Sequence, residues 1–217
     1  MKIALLGAES TGKTRLARDL AAHLSGQHQS VLVVPEVLRE WCEREGRTPR
    51  PDEQLPIAQE QERRVDAAAT QANWVIADTT ALMVAIYSAM LFDDGALYSF
   101  ALQRQRSYDL TLVTGLDLPW VADGLQRVGP QVREPVDALV RAALTRAGVN
   151  YQVVYGQGEE RLANALIAMN SIAISAGCTG ATGLISLKNQ PWSWSCDKCS
   201  DPDCERHLFS SKMGKAR

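Results

Sequence analysis

Several features that mark special classes of protein are missing from this sequence of 217 residues. It has no run of roughly 18 consecutive apolar residues, so a membrane-spanning helix is not expected. The formal net charge is only -2, which excludes a strong overall field for attracting nucleic acid or an anionic membrane. Apolar residues make up 46% and charged residues 22%, close to the averages of globular proteins. The composition therefore predicts one folded domain of ordinary type.

A signal-peptide pattern is also missing, because Met1 and Lys2 lead directly into an apolar, strand-like run. This start predicts a cytoplasmic protein. Disulfides are rare in the reducing cytosol, so the five cysteines of the chain are not expected to pair. Three of them lie close together near the end, at Cys196, Cys199 and Cys204, and this clustering points to metal binding instead.

Strand-like and helical segments alternate along most of the chain. Strands are predicted at residues 3–6, 31–35, 74–77, 110–113 and 152–155, and helices at 14–24, 54–71, 81–90, 136–147 and 159–169. The strands are nearly continuous in apolar character, which predicts burial on both faces. The alternation predicts a three-layer α/β domain with a parallel sheet and helices on both faces. We place this domain at 1–170, a Ser/Ala/Gly/Thr-rich linker at 171–190 and a Cys- and His-containing tail at 191–217.

The loop after the first strand carries the strongest motif. Residues 7–14 read GAESTGKT and match the phosphate-binding pattern G-x-x-x-x-G-K-[ST] at every fixed position, between a strand and a helix. Its glycines let backbone N–H groups turn toward phosphate oxygens. Lys13 is predicted to bridge the β- and γ-phosphates of ATP or GTP, and the Thr14 hydroxyl to complete a Mg²⁺ shell. The predicted nucleotide-binding residues are Gly7, Ala8, Glu9, Ser10, Thr11, Gly12, Lys13 and Thr14.

Two acidic residues follow the second and third predicted strands. Asp78 lies where α/β sheets bind ligands, so it is positioned to direct Mg²⁺, although it could also cap the next helix. Glu36 has Arg39 one helical turn later on the same face. In a small-molecule kinase such a carboxylate takes the proton of the attacking hydroxyl, and such an arginine holds the acceptor. A solvated helix start explains Glu36 equally well.

Five motifs, in order, resemble a known family: GAESTGKT, VVPEVLREW, VIADTT, YDLTLVTGLDLPWVADG and VVYGQGEERL. The resemblance is to the NadR-like P-loop ATPases and kinases, which include the kinase domain of the bacterial NAD regulator NadR, and it covers about residues 1 to 170. It implies a nicotinamide riboside kinase that transfers the γ-phosphoryl group of ATP to the 5'-hydroxyl of the riboside. A link to NAD metabolism follows from that activity.

The same resemblance implies roles for residues on the acceptor side. Glu36 and Arg39 would face the riboside, and Trp41 could stack on its flat pyridinium ring or simply pack in the core. Asp78 would serve Mg²⁺ or the acceptor hydroxyl, which leaves the general base open between Glu36 and Asp78. Gly156, at the end of the last strand, would lie near the adenine.

The resemblance also implies a lid. It would run from Leu118 to Arg133, and its arginines Arg127 and Arg133 would stabilise charge on the transferring phosphoryl group. A solvated loop is the alternative for both arginines.

The end of the chain, outside the resemblance, reads C-x2-C-x4-C-x2-H. Cys196, Cys199, Cys204 and His207 would give one Zn²⁺ a closed tetrahedral shell, which is typical of a structural site. A reduced, metal-free tail and a redox C-x-x-C pair remain alternatives. The tail could dock a protein partner or support a homo-oligomer.

Taken together, the residues favour an ATP- and Mg²⁺-dependent kinase of nicotinamide riboside or a similar nucleoside. The alternative is a regulatory NTPase in which nucleotide exchange or slow hydrolysis switches a partner surface. A kinase needs a carboxylate and a basic residue that converge beside the γ-phosphate, whereas a switch needs only loops that become ordered. Neither nucleic acid nor a membrane is an expected partner.

Overall fold

The computed structural model describes residues 1–121 and 129–175, with side chains described up to residue 170. The strands are β1 (Lys2–Leu6), β2 (Val31–Val34), β3 (Trp74–Asp78), β4 (Leu110–Thr114) and β5 (Gln152–Val154). The helices are α1 (Lys13–Gly26), α2 (Val37–Glu45), α3 (Pro51–Ala69), α4 (Ala81–Phe92), α5 (Leu97–Gln105), α6 (Arg133–Arg146) and α7 (Glu159–Ser175), and a 3-10 turn occupies Pro130–Val132.

The five strands form one parallel sheet in the order β2-β3-β1-β4-β5. In the register of the central strands, Ile3 lies opposite both Ile76 and Leu110. Helices join the strands, as parallel pairing requires. The three-layer α/β prediction is therefore confirmed. Because all strands run the same way, the segments that follow them meet at one edge of the sheet.

Burial differs between the middle and the edges of the sheet. The central strands are almost wholly buried, and Ile3, Ile76 and Leu112 are fully so. The prediction that every strand is buried on both faces is wrong for β2 and β5, whose residues are partly exposed. Leu32 of β2, for example, is 38% exposed. These two strands are more exposed because they lie at the edges of the sheet, where each has a neighbouring strand on one side only.

Two helices lie outside the predicted segments. Helix α2 is short and follows β2 directly. Helix α5 buries Leu97 and Ala101, and Phe100 packs partly buried beside them, so its helical spacing is present in the sequence but covers only nine residues. Helix α4, in contrast, corresponds to a predicted segment. It is apolar on all sides and packs against α3, α5 and α6.

The last described helix continues beyond the predicted end of the domain. Helix α7 reaches Ser175, within the segment assigned to the linker, and the domain division stays a prediction. Within residues 1–121 and 129–175, none of the helices combines the length and apolarity needed to cross a bilayer.

Candidate active site

The phosphate loop joins β1 to α1 and holds three residues at positive φ: Gly7 at 139°, Ser10 at 55° and Gly12 at 78°. A Cβ on Gly7 would collide with the Thr114 hydroxyl of β4, so the loop can lie this close to the sheet only with glycine there. Lys13 curls back over the loop, and its Nζ donates to the carbonyls of Gly7 at 2.9 Å and Ala8 at 2.7 Å. The cation therefore sits at the mouth of a helix N-terminus, an arrangement suited to phosphate.

Asp78, the last residue of β3, meets the phosphate loop. Its Oδ2 accepts a hydrogen bond from the Thr14 hydroxyl at 2.5 Å. Its Oδ1 is buried and has no hydrogen-bond partner among the described residues. Buried carboxylate oxygens are normally satisfied, so this atom fits a further ligand. A hydroxyl and a carboxylate are hard oxygen donors that suit Mg²⁺, which takes its remaining ligands from phosphate and water. Thr14 and Asp78 therefore fit the predicted metal pair.

The residue after Asp78 has an unusual backbone. Thr79 has φ 72°, a left-handed conformation that a β-branched residue rarely adopts. It is only 3% exposed, and its N–H donates to the carbonyl of Leu5 at 3.1 Å. The next residue, Thr80, is the N-cap of α4, with its hydroxyl accepting a backbone N–H at 3.2 Å. The capping role considered for Asp78 thus belongs to Thr80, and strain of this kind is common at functional sites.

Glu36 and Arg39 form an ion pair at the start of α2. Arg39 Nη2 lies 3.1 Å from Glu36 Oε2, and the side chain of Glu36 is only 10% exposed. Arg39 Nη1 also lies 3.5 Å from the Thr14 hydroxyl. Glu36 is therefore not a solvated helix start. The pair places a carboxylate and a guanidinium beside the Thr14–Asp78 contact.

A cleft of about 790 Å³ lies over the phosphate loop. Its described lining comes from residues 10–14 of the loop, from Arg15, Arg18 and Arg39, and from Leu118, Pro119, Val121 and Gln157. With Lys13, the lining has four cations and no carboxylate among the described residues. Ser10 fixes one wall, because its hydroxyl donates to the Val121 carbonyl at 2.7 Å and accepts from the Val121 N–H at 3.2 Å. The cleft has the size and the charge for a nucleotide polyphosphate.

Beyond Gln157, the far end of the cleft is supported by a buried ion pair. Arg161 of α7 donates to Asp117 Oδ1 at 2.5 Å, and Asp117 Oδ2 accepts from the N–H of Gly156 at 2.7 Å. Arg161 also donates to the carbonyl of Thr11 in the phosphate loop and to that of Gly156, the latter at 2.7 Å. The turn after β5 is thus tied to the phosphate loop.

A family model described as an AAA domain, AAA_28, matches residues 2–161. The chain belongs to the AAA_28 family. The comparison with curated proteins found no match.

Solved structures share the fold of this AAA_28 chain. NadR in complex with NR has a TM-score of 0.62 at 19% identity, over 79% of this chain and 50% of the NadR chain. A deoxyadenosine kinase from M. mycoides has a TM-score of 0.55 at 14% identity, over 79% and 100% of the two chains. Thymidylate kinase from Ehrlichia chaffeensis has a TM-score of 0.53 at 15% identity, over 82% and 97%. The fold is that of P-loop nucleoside and nucleotide kinases, and the expected resemblance to NadR agrees with it.

Not every predicted residue of the AAA_28 domain joins this cleft. Trp41 packs partly buried against the core and lines a separate groove of about 340 Å³ between α2 and α3, with Arg47 stacked 4.8 Å from its ring centre. The structure therefore does not bring Trp41 together with Glu36 and Arg39. A role for Trp41 in acceptor binding stays a prediction.

The predicted lid arginines have different outcomes. Arg133 is buried at the start of α6 and donates to the carbonyls of Leu116 at 3.2 Å and Leu118 at 2.8 Å, so it supports the wall of the cleft from behind. Burial lowers the pKa of its guanidinium, an effect that Asp117 opposes. Arg127 lies outside the described residues. So do the predicted zinc ligands Cys196, Cys199, Cys204 and His207.

Sequence reasoning missed Arg15, Arg18 and Gln157 of the cleft lining and the supporting pair Asp117 and Arg161. Asp117 lies three residues past the end of β4, and the strand-end rule that found Asp78 would have found it as well. Arg161 had a weaker signal, because an arginine beside Glu159 and Glu160 in the first turn of a helix is expected to be solvated.

Proposed function

We propose that this protein is an ATP- and Mg²⁺-dependent kinase that phosphorylates nicotinamide riboside or a similar nucleoside. The observation that carries the proposal is the approach of Arg39, ion-paired with Glu36, to within 3.5 Å of the Thr14 hydroxyl. A carboxylate and a guanidinium thus converge where the loop would present the γ-phosphate, which a kinase needs and a nucleotide switch does not. The kinases of similar fold, one of them NadR with NR, support the reaction class.

Each residue has a distinct task in this reaction. Bound Mg²⁺ supplies charge neutralisation on the phosphates, and Thr14 and Asp78 would hold it. Lys13 and the loop N–H groups bind the phosphates and align the γ-phosphorus with the acceptor. Glu36 accepts the proton of the 5'-hydroxyl as that oxygen bonds to phosphorus, and the bond from phosphorus to the bridging oxygen of ADP breaks.

Glu36 is the better general base of the two candidates. Asp78 Oδ2 already accepts from Thr14 at 2.5 Å, and its buried Oδ1 would suit the metal better than a bulky acceptor. Glu36 stands at the start of α2, where Arg39 can orient an acceptor against it. Arg127 is proposed as the lid arginine, with Arg133 holding the wall at Leu116 and Leu118.

The reaction is tested by ADP release from MgATP with nicotinamide riboside, deoxyadenosine, thymidylate or no acceptor. Lys13→Ala is the inactive reference, and Arg63→Ala, which removes a 68% exposed cation of α3, is the control for loss of charge. We expect riboside-dependent turnover in the wild type and in Arg63→Ala, and none in Lys13→Ala. Slow turnover that ignores the acceptor, or no turnover at all, would contradict the kinase and favour the regulatory NTPase.

The tail carries a separate proposal that rests on the sequence pattern alone. Cys196, Cys199, Cys204 and His207 would bind one structural Zn²⁺, in a tail at 191–217 joined to the kinase domain at 1–170 by a linker at 171–190. Elemental analysis of the purified chain should find one zinc per molecule, and Cys199→Ser should lose it. A metal-free wild type would exclude the zinc site, and a tail that docks a partner would then need another basis.

A further inference from the structure

A buried, hydrogen-bonded cation lies outside the proposed reacting groups. Arg161 of α7 is 4% exposed. Its three nitrogens donate to acceptors in three different segments: the Thr11 carbonyl of the phosphate loop, the Gly156 carbonyl of the turn after β5, and Asp117 after β4. A buried guanidinium is tolerated only when it is paired and hydrogen-bonded, and Arg161 meets both conditions.

The same network uses both backbone polar groups of Gly156. The Gly156 N–H donates to Asp117 Oδ2 at 2.7 Å, and its carbonyl accepts from Arg161 Nε at 2.7 Å. Gly156 therefore has no donor to offer a base, and its carbonyl is already engaged. The next residue, Gln157, is exposed and lines the cleft. A base that reaches this turn would be read by the Gln157 side chain, whose position depends on the turn that Arg161 holds.

We infer that Arg161 is a positioning residue for the donor nucleotide, which fixes the base-side turn at a set distance from the phosphate loop. With that distance fixed, base contacts and phosphate contacts act on one ligand at the same time, and their contributions combine. The inference rests on the nucleotide-binding part of the proposed function and does not depend on the acceptor. Arg161 touches neither phosphate nor base; it acts through Thr11 and Gly156.

A comparison of two ligands separates this role from a purely structural one. MgATP carries a base and a triphosphate, whereas magnesium tripolyphosphate carries the phosphates alone. Arg161→Lys keeps the charge but has one ammonium in place of a fork that spans three acceptors. We expect its affinity for MgATP to fall about tenfold and its affinity for magnesium tripolyphosphate to change by less than about twofold. Isothermal titration calorimetry on the full chain measures both.

Arg104→Lys is the control, because Arg104 of α5 is a partly buried, carboxylate-paired arginine, 2.5 Å from Asp66, outside the described lining of the cleft. It should leave both affinities unchanged. An equal loss of both affinities in Arg161→Lys would overturn the inference and leave Arg161 a structural residue. A wild type that binds the two ligands equally well would also overturn it. A wild type that binds neither ligand would instead refute the donor site of the proposed function.

A second variant covers the case in which Arg161→Lys does not fold. Asp117→Asn keeps an oxygen that can accept from the Gly156 N–H but removes the charge that holds Arg161. The same selective loss of MgATP affinity is expected, and an unchanged ratio of the two affinities would overturn the inference.

Discussion

The two ends of the proposed nucleotide cleft hold their charged residues in different ways. At the proposed acceptor end, Arg39 is 35% exposed, pairs with Glu36 at 3.1 Å and reaches Thr14 only at 3.5 Å. At the proposed base end, the Arg161 side chain is 5% exposed and lies 2.5 Å from Asp117. A group that must exchange partners during a reaction needs weak, accessible contacts. A group that sets a distance needs saturated, buried ones.

The largest effect is expected from removing Lys13, the cation of the phosphate loop that lies between the two ends of the cleft. Lys13→Ala should lower MgATP affinity by about a hundredfold or more, because the loop loses its only long-reaching positive charge for the phosphates. Calorimetric titration measures this loss. Arg63→Ala on the exposed face of α3 serves as the control, and full binding by Lys13→Ala would show that the loop does not hold the phosphates.

A substitution at the proposed acceptor end should lower turnover without changing nucleotide affinity. Glu36→Gln removes the proposed base while keeping the size of the side chain, so turnover should fall by about a hundredfold or more. MgATP affinity should stay within about twofold of the wild type, because the glutamine oxygen can still accept a hydrogen bond from Arg39 and keep its position. Steady-state kinetics and calorimetry together test this separation. A parallel loss of nucleotide binding would show that the two ends are not independent.

The tightness of the phosphate loop itself can be tested with two glycines at positive φ. Gly7→Ala would drive a Cβ into Thr114, whereas Gly46→Ala, at φ 67° in the C-cap of α2, meets nothing within 4 Å. Backbone strain should cost about 1–2 kcal/mol at Gly46, whose φ is left-handed helical. Gly7→Ala should cost at least as much in strain, and overpacking against Thr114 should add about 1–3 kcal/mol. Urea unfolding followed by circular dichroism gives both values. Equal losses would mean that the loop can move away from β4.

The smallest expected effect concerns an ion pair remote from the cleft. Hydrogen bonds from Arg63 and Arg64 lower the pKa of Glu60 from 4.5 to about 2. Because the folded pKa is the lower one, the stabilisation is complete above about pH 5 and is lost as the pH falls toward 2. Glu60→Gln should therefore cost less than about 1 kcal/mol at pH 7 and nothing at pH 2. A difference from the wild type that grows as the pH falls would contradict the assigned cause.

The fold was largely predictable because its strands are apolar runs and its phosphate loop is a fixed motif. What the sequence does not encode locally is strand order, so the exposure of β2 and β5 could not be anticipated. Helix α5 was missed for a different reason, because its apolar pattern covers only nine residues.

The site was predictable where chemistry follows from position along the chain. Residues 7–14, Asp78 and the Glu36–Arg39 pair came from a motif, a strand end and a helical turn. Trp41 lies two residues beyond Arg39 in the same helix. Residues two apart in a helix do not face the same way, which explains why Trp41 lines a separate groove. The role of Arg161 arises only when three distant segments meet around it, which no local pattern records.

Thr79 has a consequence for heat inactivation. Its left-handed backbone is held in place by the hydrogen bond to Leu5 and by close burial, and it aims Asp78 at Thr14. A slight loosening of the central strands would let Thr79 relax to an ordinary conformation and turn Asp78 away, well before the helices melt. We therefore expect turnover to be lost on warming at a lower temperature than secondary structure, and to return on cooling.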